Sequence, residues 1–167
     1  MSMVQRILLA VVLLLSPAFA LAQGTDVALG IGAFDADEPV EVTADSLSVD
    51  QASGLAVFDG NVLVVQGDVR MSAGRVDVVY ATDESGSPAG IAELRASEGV
   101  TVVTPTDAAE AAVAVYVIET GAVTLSGDVL LTQGNTAIAG ERLVMDLKAG
   151  TGRMEGRVRT VFGGSQN

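Results

Sequence analysis

Apolar and polar residues alternate with a period of two from residue 40 onward. The segments Val40-Glu41-Val42-Thr43 and Leu47-Ser48-Val49-Asp50 show this pattern most clearly. A period of two is typical of β-strands that bury one face. The one helix-like window in this region is the Ala-rich stretch 108–114, which continues into the strand-like sequence 115–118. We therefore expect strand or irregular structure at 108–114, and an all-β fold of short antiparallel strands.

The chain also contains an internal repeat. Shifting residues 54–78 by 67 positions places Gly60 on Gly127 and Gln66-Gly67 on Gln133-Gly134, while apolar positions stay apolar. A shift of 29 residues aligns further positions, so about four units follow Pro39. The second unit carries about nine extra residues, which we assign to a loop at 82–90 because Asp, Ser, Gly and Pro are frequent there. Such units bury their apolar faces by stacking on one another.

Glycine bends divide each unit into two strands of about 4–6 residues. Asp59-Gly60-Asn61 and Ser126-Gly127-Asp128 lie between alternating apolar positions. Each bend is either a tight hairpin turn or a glycine kink in a continuing strand. The fixed spacing of the bends favours kinks at the corners of a coiled sheet.

The repeat distinguishes an inner face from an outer face. Equivalent positions 58, 125 and 154 hold Phe, Leu and Met, whereas positions 57, 124 and 153 hold Val, Thr and Arg. The residues expected by this comparison to line the space between two facing sheets are Val42, Leu47, Val49, Phe58, Val62, Val64, Met71, Val76, Val78, Leu125, Val129, Leu131, Ile138, Leu143, Met145, Met154 and Val158. They form either an ordinary sandwich core, as most apolar stripes do, or an apolar groove that takes up acyl chains. The low aromatic content of 4% favours the groove, because it would leave room inside.

The N-terminal residues have the composition of a secretory signal peptide. Arg6 precedes an apolar run over 7–15, and small residues follow up to Ala20-Leu21-Ala22. We expect cleavage after Ala22, with Ala20 as the second choice. The alternative is a retained membrane anchor, but the apolar run is shorter than the ~20 residues that span a bilayer. The expected organisation is a signal peptide at 1–22, a flexible leader at 23–38, one β-domain at 39–162 and a flexible tail at 163–167.

Composition restricts the chemistry that the chain can perform. The absence of cysteine and histidine removes the commonest general base and metal ligand, and makes a Ser-His-Asp site impossible. A hydrolase with two carboxylates distant in the chain stays open, although no partner motif supports it. We expect no enzyme activity, no metal site and no cofactor. Loss of Arg6 changes the net charge from −12 to −13, which argues against nucleic acid as a partner.

Three of the few basic residues lie close together near the C-terminus. They are Arg153, Arg157 and Arg159. Such residues either solvate an edge strand and protect it from unwanted pairing, or contact the phosphate groups of a lipid headgroup. Both interpretations stay open at this stage.

Four short motifs occur in an order and spacing that point to one known family. They are Pro39-Val40-Glu41-Val42-Thr43-Ala44-Asp45, Phe58-Asp59-Gly60-Asn61-Val62 with Gln66-Gly67, Leu125-Ser126-Gly127-Asp128-Val129 with Gln133-Gly134, and Arg157-Val158-Arg159-Thr160-Val161. Together with the signal peptide, they resemble the LptA/OstA-like family of periplasmic lipopolysaccharide-transport proteins. The likeness covers about residues 39–162.

The resemblance implies a twisted, semi-open β-jellyroll with an apolar interior, located in the periplasm. It implies that lipopolysaccharide binds with the acyl chains of lipid A inside, and that Val40, Val42, Tyr116 and Ile118 lie in lipid-lining strands. It also implies a head-to-tail homo-oligomer that carries lipopolysaccharide from an LptC-like inner-membrane protein to an LptD-like outer-membrane protein. The alternatives are a membrane-tethered LptC-like component of the same pathway, and a structural β-repeat protein without lipid cargo.

Overall fold

The structure is a computed structural model that describes residues 24–30, 34–50 and 54–163. These residues form thirteen antiparallel strands in one sheet and contain no helix, which confirms the all-β prediction. The strands are β1 (Thr25–Ala28), β2 (Glu41–Thr43), β3 (Ser46–Asp50), β4 (Leu55–Gln66), β5 (Val69–Thr82), β6 (Pro88–Ser97), β7 (Val100–Val103), β8 (Asp107–Ala111), β9 (Val113–Val117), β10 (Ala122–Gln133), β11 (Thr136–Asp146), β12 (Thr151–Glu155) and β13 (Arg159–Phe162). The expected signal peptide, its cleavage site at Ala22 and residues 164–167 of the expected tail lie outside the described residues.

Two long strands bend at the glycines that the repeat aligns. β4 and β10 each span 12 residues, and each contains a register shift, around Gly60 and around Gly127 respectively. The φ angles of these glycines are 80° and 86°, in a region that L side chains rarely adopt. The kink interpretation is therefore right. The predicted strand length of 4–6 residues is wrong for β4 and β10, because a β-bulge bends a strand without ending its ladder.

The bends line up across the sheet and divide it into two leaves. β4 pairs with β3 along its first half and with β2 along its second, and β10 pairs likewise with β9 and β8. β5 and β11 also change partners at this level, from β7 to β6 and from β13 to β12. Leaf A comprises β2, β7, β8 and β13 with the second halves of β4 and β10 and the first halves of β5 and β11. Leaf B comprises β1, β3, β6, β9 and β12 with the remaining halves, and we call the line of bends between the leaves the crease.

Side chains between the two leaves form the hydrophobic core. The predicted interior residues that are buried there are Val62, Val64, Met71, Val76, Val78, Tyr116, Leu125, Val129, Leu131, Ile138, Leu143, Met145 and Met154. Those that are half-buried against this core are Val40, Val42, Phe58, Ile118 and Val158. Two facing layers with inward apolar side chains are the arrangement of a β-jellyroll, closed at the crease and open at its two ends.

Leu47 and Val49 depart from this pattern. Their register places them opposite Phe58 and Ala56, on the inner face of leaf B. Their side chains are nevertheless 54% and 61% exposed, because β3 is the last strand of its leaf and no described residue covers it. The expectation that both are enclosed between the sheets is therefore wrong, since alternation predicts the face of a residue and not its distance from the edge.

The segment before residue 39 is partly built into the sheet. Thr25–Ala28 form β1, which pairs with β12, and Leu29 is buried in the core. The expected flexible leader at 23–38 is therefore wrong for these residues. Backbone pairing and an exposed ion pair between Asp26 and Arg153 (2.9 Å) hold β1 against β12 and cover what would otherwise be an open strand edge.

Two other segments can be compared with expectation. Residues 108–114 fall in β8 and β9, with Ala112 between them at the crease, in agreement with the strand-or-irregular prediction. The loop predicted at 82–90 is shorter than expected, because β6 already begins at Pro88. The Asp83 carboxylate accepts the hydrogen bonds that hold this turn together. The hydrogen bond from the Ser85 hydroxyl is the main cause, and bonds from nearby backbone N–H groups a further cause, of an Asp83 pKa below the usual value.

Candidate functional site

The space between the leaves is apolar and contains a small cavity. A cavity of about 20 Å³ lies toward the side opposite the crease, where the hairpin turns of both leaves meet. We call this side the mouth. The cavity is lined by Phe34, Val64, Gln66, Val69, Met71, Val102, Tyr116, Val123 and Leu147. That volume holds about one water molecule. Around this cavity the side chains pack as in a sandwich core, so an acyl chain could enter there only if the leaves moved apart.

One buried hydrogen bond joins the two leaves beside this cavity. The hydroxyl of Tyr116, on leaf B, donates to Oε1 of Gln66 on leaf A, with 2.6 Å between the oxygens. Both side chains are buried, and burial raises the pKa of Tyr116 to about 12. A neutral hydroxyl is thus maintained here at any physiological pH, and it acts as a fixed donor.

The mouth is crossed by parts of the N-terminal segment. Gln66 Nε2 donates to the carbonyl oxygens of Ala36 (3.1 Å) and Glu38 (2.9 Å). Gln133, the repeat equivalent of Gln66, donates in the same way to the carbonyl of Ala28 (2.8 Å). The two Gln-Gly pairs of this chain therefore share one structural role, which is to hold N-terminal backbone at the rim of leaf A.

Further hydrogen bonds fix the same segment between both rims. The N–H of Gly30 donates to Oδ2 of Asp107 (2.6 Å), and the hydroxyl of Thr106 donates to the carbonyl of Gly30 (3.0 Å). On the other rim, the N–H of Leu29 donates to the carbonyl of Gly150 (2.8 Å). The N-terminal segment thus contacts a turn of each leaf.

Several residues of this region are absent from the sequence prediction. Phe34, Gln66, Asp107 and Leu147 all lie at or near the mouth, although alternation alone assigns none of them to the interior. The repeated Gln-Gly pair was the one available signal, since a polar residue preserved between repeats indicates a specific partner.

Charge is distributed unequally between the outer faces of the leaves. The five ion pairs found among the described residues all lie on the outer face of leaf B: Arg75–Asp59, Arg75–Asp77, Arg95–Glu93, Arg142–Glu155 and Arg153–Asp26. Exposed pairs of this kind contribute only ~0–1 kcal/mol each. The outer face of leaf A instead exposes Leu63, Val103 and Leu130.

The three C-terminal arginines do not form one cluster of equivalent residues. Arg153 lies on β12 and pairs with Asp26, so it serves the edge of leaf B. Arg157 and Arg159 are exposed, and Arg159 begins β13 at the edge of leaf A. Contact of these residues with a lipid headgroup stays a prediction.

Both open ends of the folded sheet expose apolar side chains on edge strands. Val161 and Phe162 of β13 are 50% and 77% exposed, and Leu47 and Val49 of β3 lie at the opposite end. Unpaired strand edges with apolar residues are the usual basis for strand addition by another chain.

Alternative site types have little support in the described ranges, 24–30, 34–50 and 54–163. No group of three or more His, Cys, Asp or Glu side chains able to hold a metal ion occurs within them. Within the same ranges, no helix has the length and apolar character required to cross a membrane.

Comparisons with known proteins agree with the architecture. A model of the family described as LptA/(LptD N-terminal domain) LPS transport protein matches residues 41–151. An uncharacterized protein of Rhizobium meliloti (strain 1021) is 28% identical over 122 residues, which is 73% of this chain and 63% of that protein. The lipopolysaccharide export system protein LptA of Escherichia coli (strain K12) is 35% identical over 52 residues, 31% of this chain and 28% of that protein. The chain thus spans less than two thirds of each of these relatives.

A solved structure shows the same fold. It is LptH from Pseudomonas aeruginosa, described as the LptA homologous periplasmic component of the conserved lipopolysaccharide transport device. The likeness has a TM-score of 0.65 at 20% identity and covers 78% of this chain and 99% of that one. It confirms the predicted β-jellyroll.

Proposed function

The chain belongs to the LptA/(LptD N-terminal domain) LPS transport protein family, and we propose from this that it is a periplasmic protein that binds lipopolysaccharide and carries it from the inner to the outer membrane. The acyl chains of lipid A would lie between the leaves, on the inner-face residues described above. The polar part of the lipid would remain outside the mouth.

The observation that supports this proposal most directly is the apolar character of the interior. It is apolar and it carries no ion pair within the described part of the chain. An acyl chain gains ~0.8 kcal/mol per methylene group that it buries, so about ten groups gain ~8 kcal/mol. This is large compared with the ~1 kcal/mol of an ordinary net hydrogen bond. The gain exceeds the ~3 kcal/mol expected for the three hydrogen bonds that Gln66 makes at the mouth, so lipid can offset their loss.

The two open ends suit a chain of such subunits. We propose that β13 of one copy adds to the β2–β3 end of the next, giving a head-to-tail homo-oligomer. The ends of that oligomer would dock on an LptC-like protein at the inner membrane and an LptD-like protein at the outer membrane. Exposed Val161 and Phe162 at one end and exposed Leu47 and Val49 at the other support this arrangement.

One observation favours a second candidate, a structural β-repeat protein without lipid cargo. The cavity described at the mouth holds about 20 Å³, as expected where a core is permanently filled. The two candidates differ in whether the leaves ever separate far enough to admit an acyl chain.

Site-specific photocrosslinking to lipopolysaccharide distinguishes them. A photoreactive phenylalanine analogue replaces Tyr116, which is buried between the leaves, or Val42, which is half-buried on the inner face of β2. The matched control is the neighbouring Thr43, exposed and directed outward on the same strand. In cells that express the chain, we expect crosslinks to lipopolysaccharide at Tyr116 and Val42 and none at Thr43. Equal labelling at Thr43, or none at the inner positions, would refute lipid binding in the interior.

A further inference from the structure

A short piece of the N-terminal segment, residues 34–38, closes the mouth of the jellyroll. It belongs to no strand and folds into its own turn, in which Asp37 N–H donates to Oδ1 of Asp35 (2.9 Å). The N–H of Glu38 also approaches the carbonyl of Asp35 (3.3 Å). We call this piece the clasp.

Phe34 is the apolar part of the clasp. Its side chain packs against the core and lines the small cavity at the mouth. Val64, Met71 and Val102 of leaf A and Tyr116, Val123 and Leu147 of leaf B line the same cavity. Phe34 therefore occupies the boundary between the leaves, where an acyl chain entering from the mouth would have to pass.

Gln66 is the polar part of the attachment. It is 4% exposed, and its amide group is fully used, with two hydrogens donated to the clasp carbonyls of Ala36 and Glu38 and its oxygen accepting from Tyr116. One side chain thus ties the clasp to leaf A and leaf A to leaf B. Loss of Gln66 would release all three connections together.

The clasp side of the interior is easier to open than the crease. Opening at the crease would disrupt ladders that run through β4, β5, β10 and β11. Opening at the mouth disrupts no strand ladder, because leaf A and leaf B share no strand pairing there within the described residues. It requires the release of Phe34, of hydrogen bonds to side chains and of the apolar contacts between the leaves around the cavity. The leaves therefore separate more easily on the clasp side than at the crease.

We propose that residues 34–38 are a releasable clasp that holds the two leaves together at the mouth, and that acyl chains enter the interior when Phe34 and the Gln66 contacts are displaced. This inference rests on the proposed function, since it specifies the route into the same interior. It assigns Phe34 and Gln66 to the control of uptake, while the inner-face residues determine how much lipid surface is buried.

The test measures the rate at which purified, fluorescently labelled lipopolysaccharide enters the full-length mature protein, followed by stopped-flow fluorescence. Phe34→Ala removes the apolar part of the clasp, and Gln66→Leu removes the hydrogen bonds. We expect uptake to be ~30-fold faster or more for Gln66→Leu, because two ordinary hydrogen bonds to the clasp are lost together with the bond to Tyr116. We also expect faster uptake for Phe34→Ala.

A matched control separates clasp release from general destabilisation. Gly99→Ala strains a glycine with a φ of 79° between β6 and β7 at the crease, where a Cβ meets nothing within 4 Å, and Gly99 is not among the residues that line the cavity at the mouth. It lowers stability without touching the clasp, so its uptake rate should stay within about twofold of the wild type.

A second experiment links leaf A covalently to the N-terminal segment, which pairs with leaf B through β1, so that the mouth stays closed. A Cβ built on Gly30 lies 2.8 Å from Cβ of Thr106, slightly closer than the ~3.5–4.5 Å of a disulfide, so Gly30→Cys with Thr106→Cys needs a shift of roughly 1 Å. The chain has no other cysteine. The oxidised form should take up lipid more slowly than the same protein after reduction. The clasp proposal alone would be refuted if the folded clasp variants took up lipid at the wild-type rate and the disulfide variant did so equally fast before and after reduction. If no form took up lipid, the proposed function would be refuted as well.

Discussion

The glycine at the crease of β10 provides a sharp test of how the sheet is folded. A Cβ built on Gly127 would lie 2.8 Å from Cβ of Ala112, the residue between β8 and β9. Gly134, in the turn between β10 and β11, also has a positive φ, of 53°, but a Cβ there meets nothing within 4 Å. The substitutions Gly127→Ala and Gly134→Ala therefore differ mainly in the steric contact at the crease.

The expected magnitudes follow from these two surroundings. An alanine in a left-handed conformation costs ~1–2 kcal/mol, and we expect this loss in the free energy of unfolding for Gly134→Ala. Gly127→Ala adds the overlap with Ala112, and overpacking of this kind costs ~1–3 kcal/mol. The predicted total for Gly127→Ala is therefore ~2–5 kcal/mol.

Urea unfolding of the purified protein measures both values, and a double-mutant cycle assigns the excess. Ala112→Gly removes the methyl group with which the new side chain of Gly127→Ala would overlap. The double variant should consequently be ~1–3 kcal/mol more stable than the sum of the single variants predicts. Comparable losses for Gly134→Ala and Gly127→Ala, or a cycle without coupling, would refute the claim that close approach of strands at the crease requires glycine.

Two further predictions concern the mouth and the open ends. The pKa of Tyr116 is about 12 in the folded protein, above the ~10 of an unfolded chain. The neutral Tyr116 hydroxyl therefore contributes its full share to the free energy of unfolding below about pH 10. That contribution decreases by up to ~2–3 kcal/mol as the pH rises toward about 12. The stability difference between wild type and Tyr116→Phe, measured by urea unfolding, should therefore shrink as the pH rises above about 10, and an unchanged difference would contradict the assignment. Val161→Asp on β13 should weaken concentration-dependent self-association, measured by sedimentation velocity. The control Val103→Asp should not, because Val103 is also exposed but lies in the middle of leaf A. Equal effects of the two substitutions would argue against assembly through the edge strand.

The inner face could be predicted from sequence because the repeat compares equivalent positions. Leu125, Leu143 and Met154 are each fully buried, and their equivalents in other units are also apolar. The same close approach between strands also recurs at equivalent positions of the repeat. A Cβ on Gly127 would meet Ala112, and a Cβ on Gly156 would meet Glu141, in both cases a residue 15 positions earlier. The recurring glycine therefore marks the place where two strands approach closely at the crease.

Core residues of the third unit are missing from the prediction. Leu94, Val100 and Val102 are buried, but the glycine of this corner, Gly99, does not align with Gly60 and Gly127 at either repeat spacing. Without that alignment, alternation over strands as short as β7 does not distinguish the two faces. A core position in a short strand without a repeat equivalent therefore cannot be identified from sequence until the strands that pair with it are known.

The mouth could not be predicted because its contacts join distant parts of the chain. Tyr116 lies 50 residues from its partner Gln66, and Gln133 lies 105 residues from Ala28. Strand period determines which side a residue faces, whereas these pairs depend on how the leaves close on each other. The same reason accounts for Leu47 and Val49, whose face follows from alternation and whose exposure follows from the position of β3 at the edge.

The passage of four strands through both leaves also affects the accuracy of folding. A slip of one residue in an antiparallel pair exchanges the inner and outer faces of a strand. Because β4, β5, β10 and β11 continue across the crease, a slip in one leaf would expose the apolar residues of the other leaf as well. The bulges at Gly60 and Gly127 fit their partners in one alignment only, so they select the correct register of both leaves at once while the chain folds.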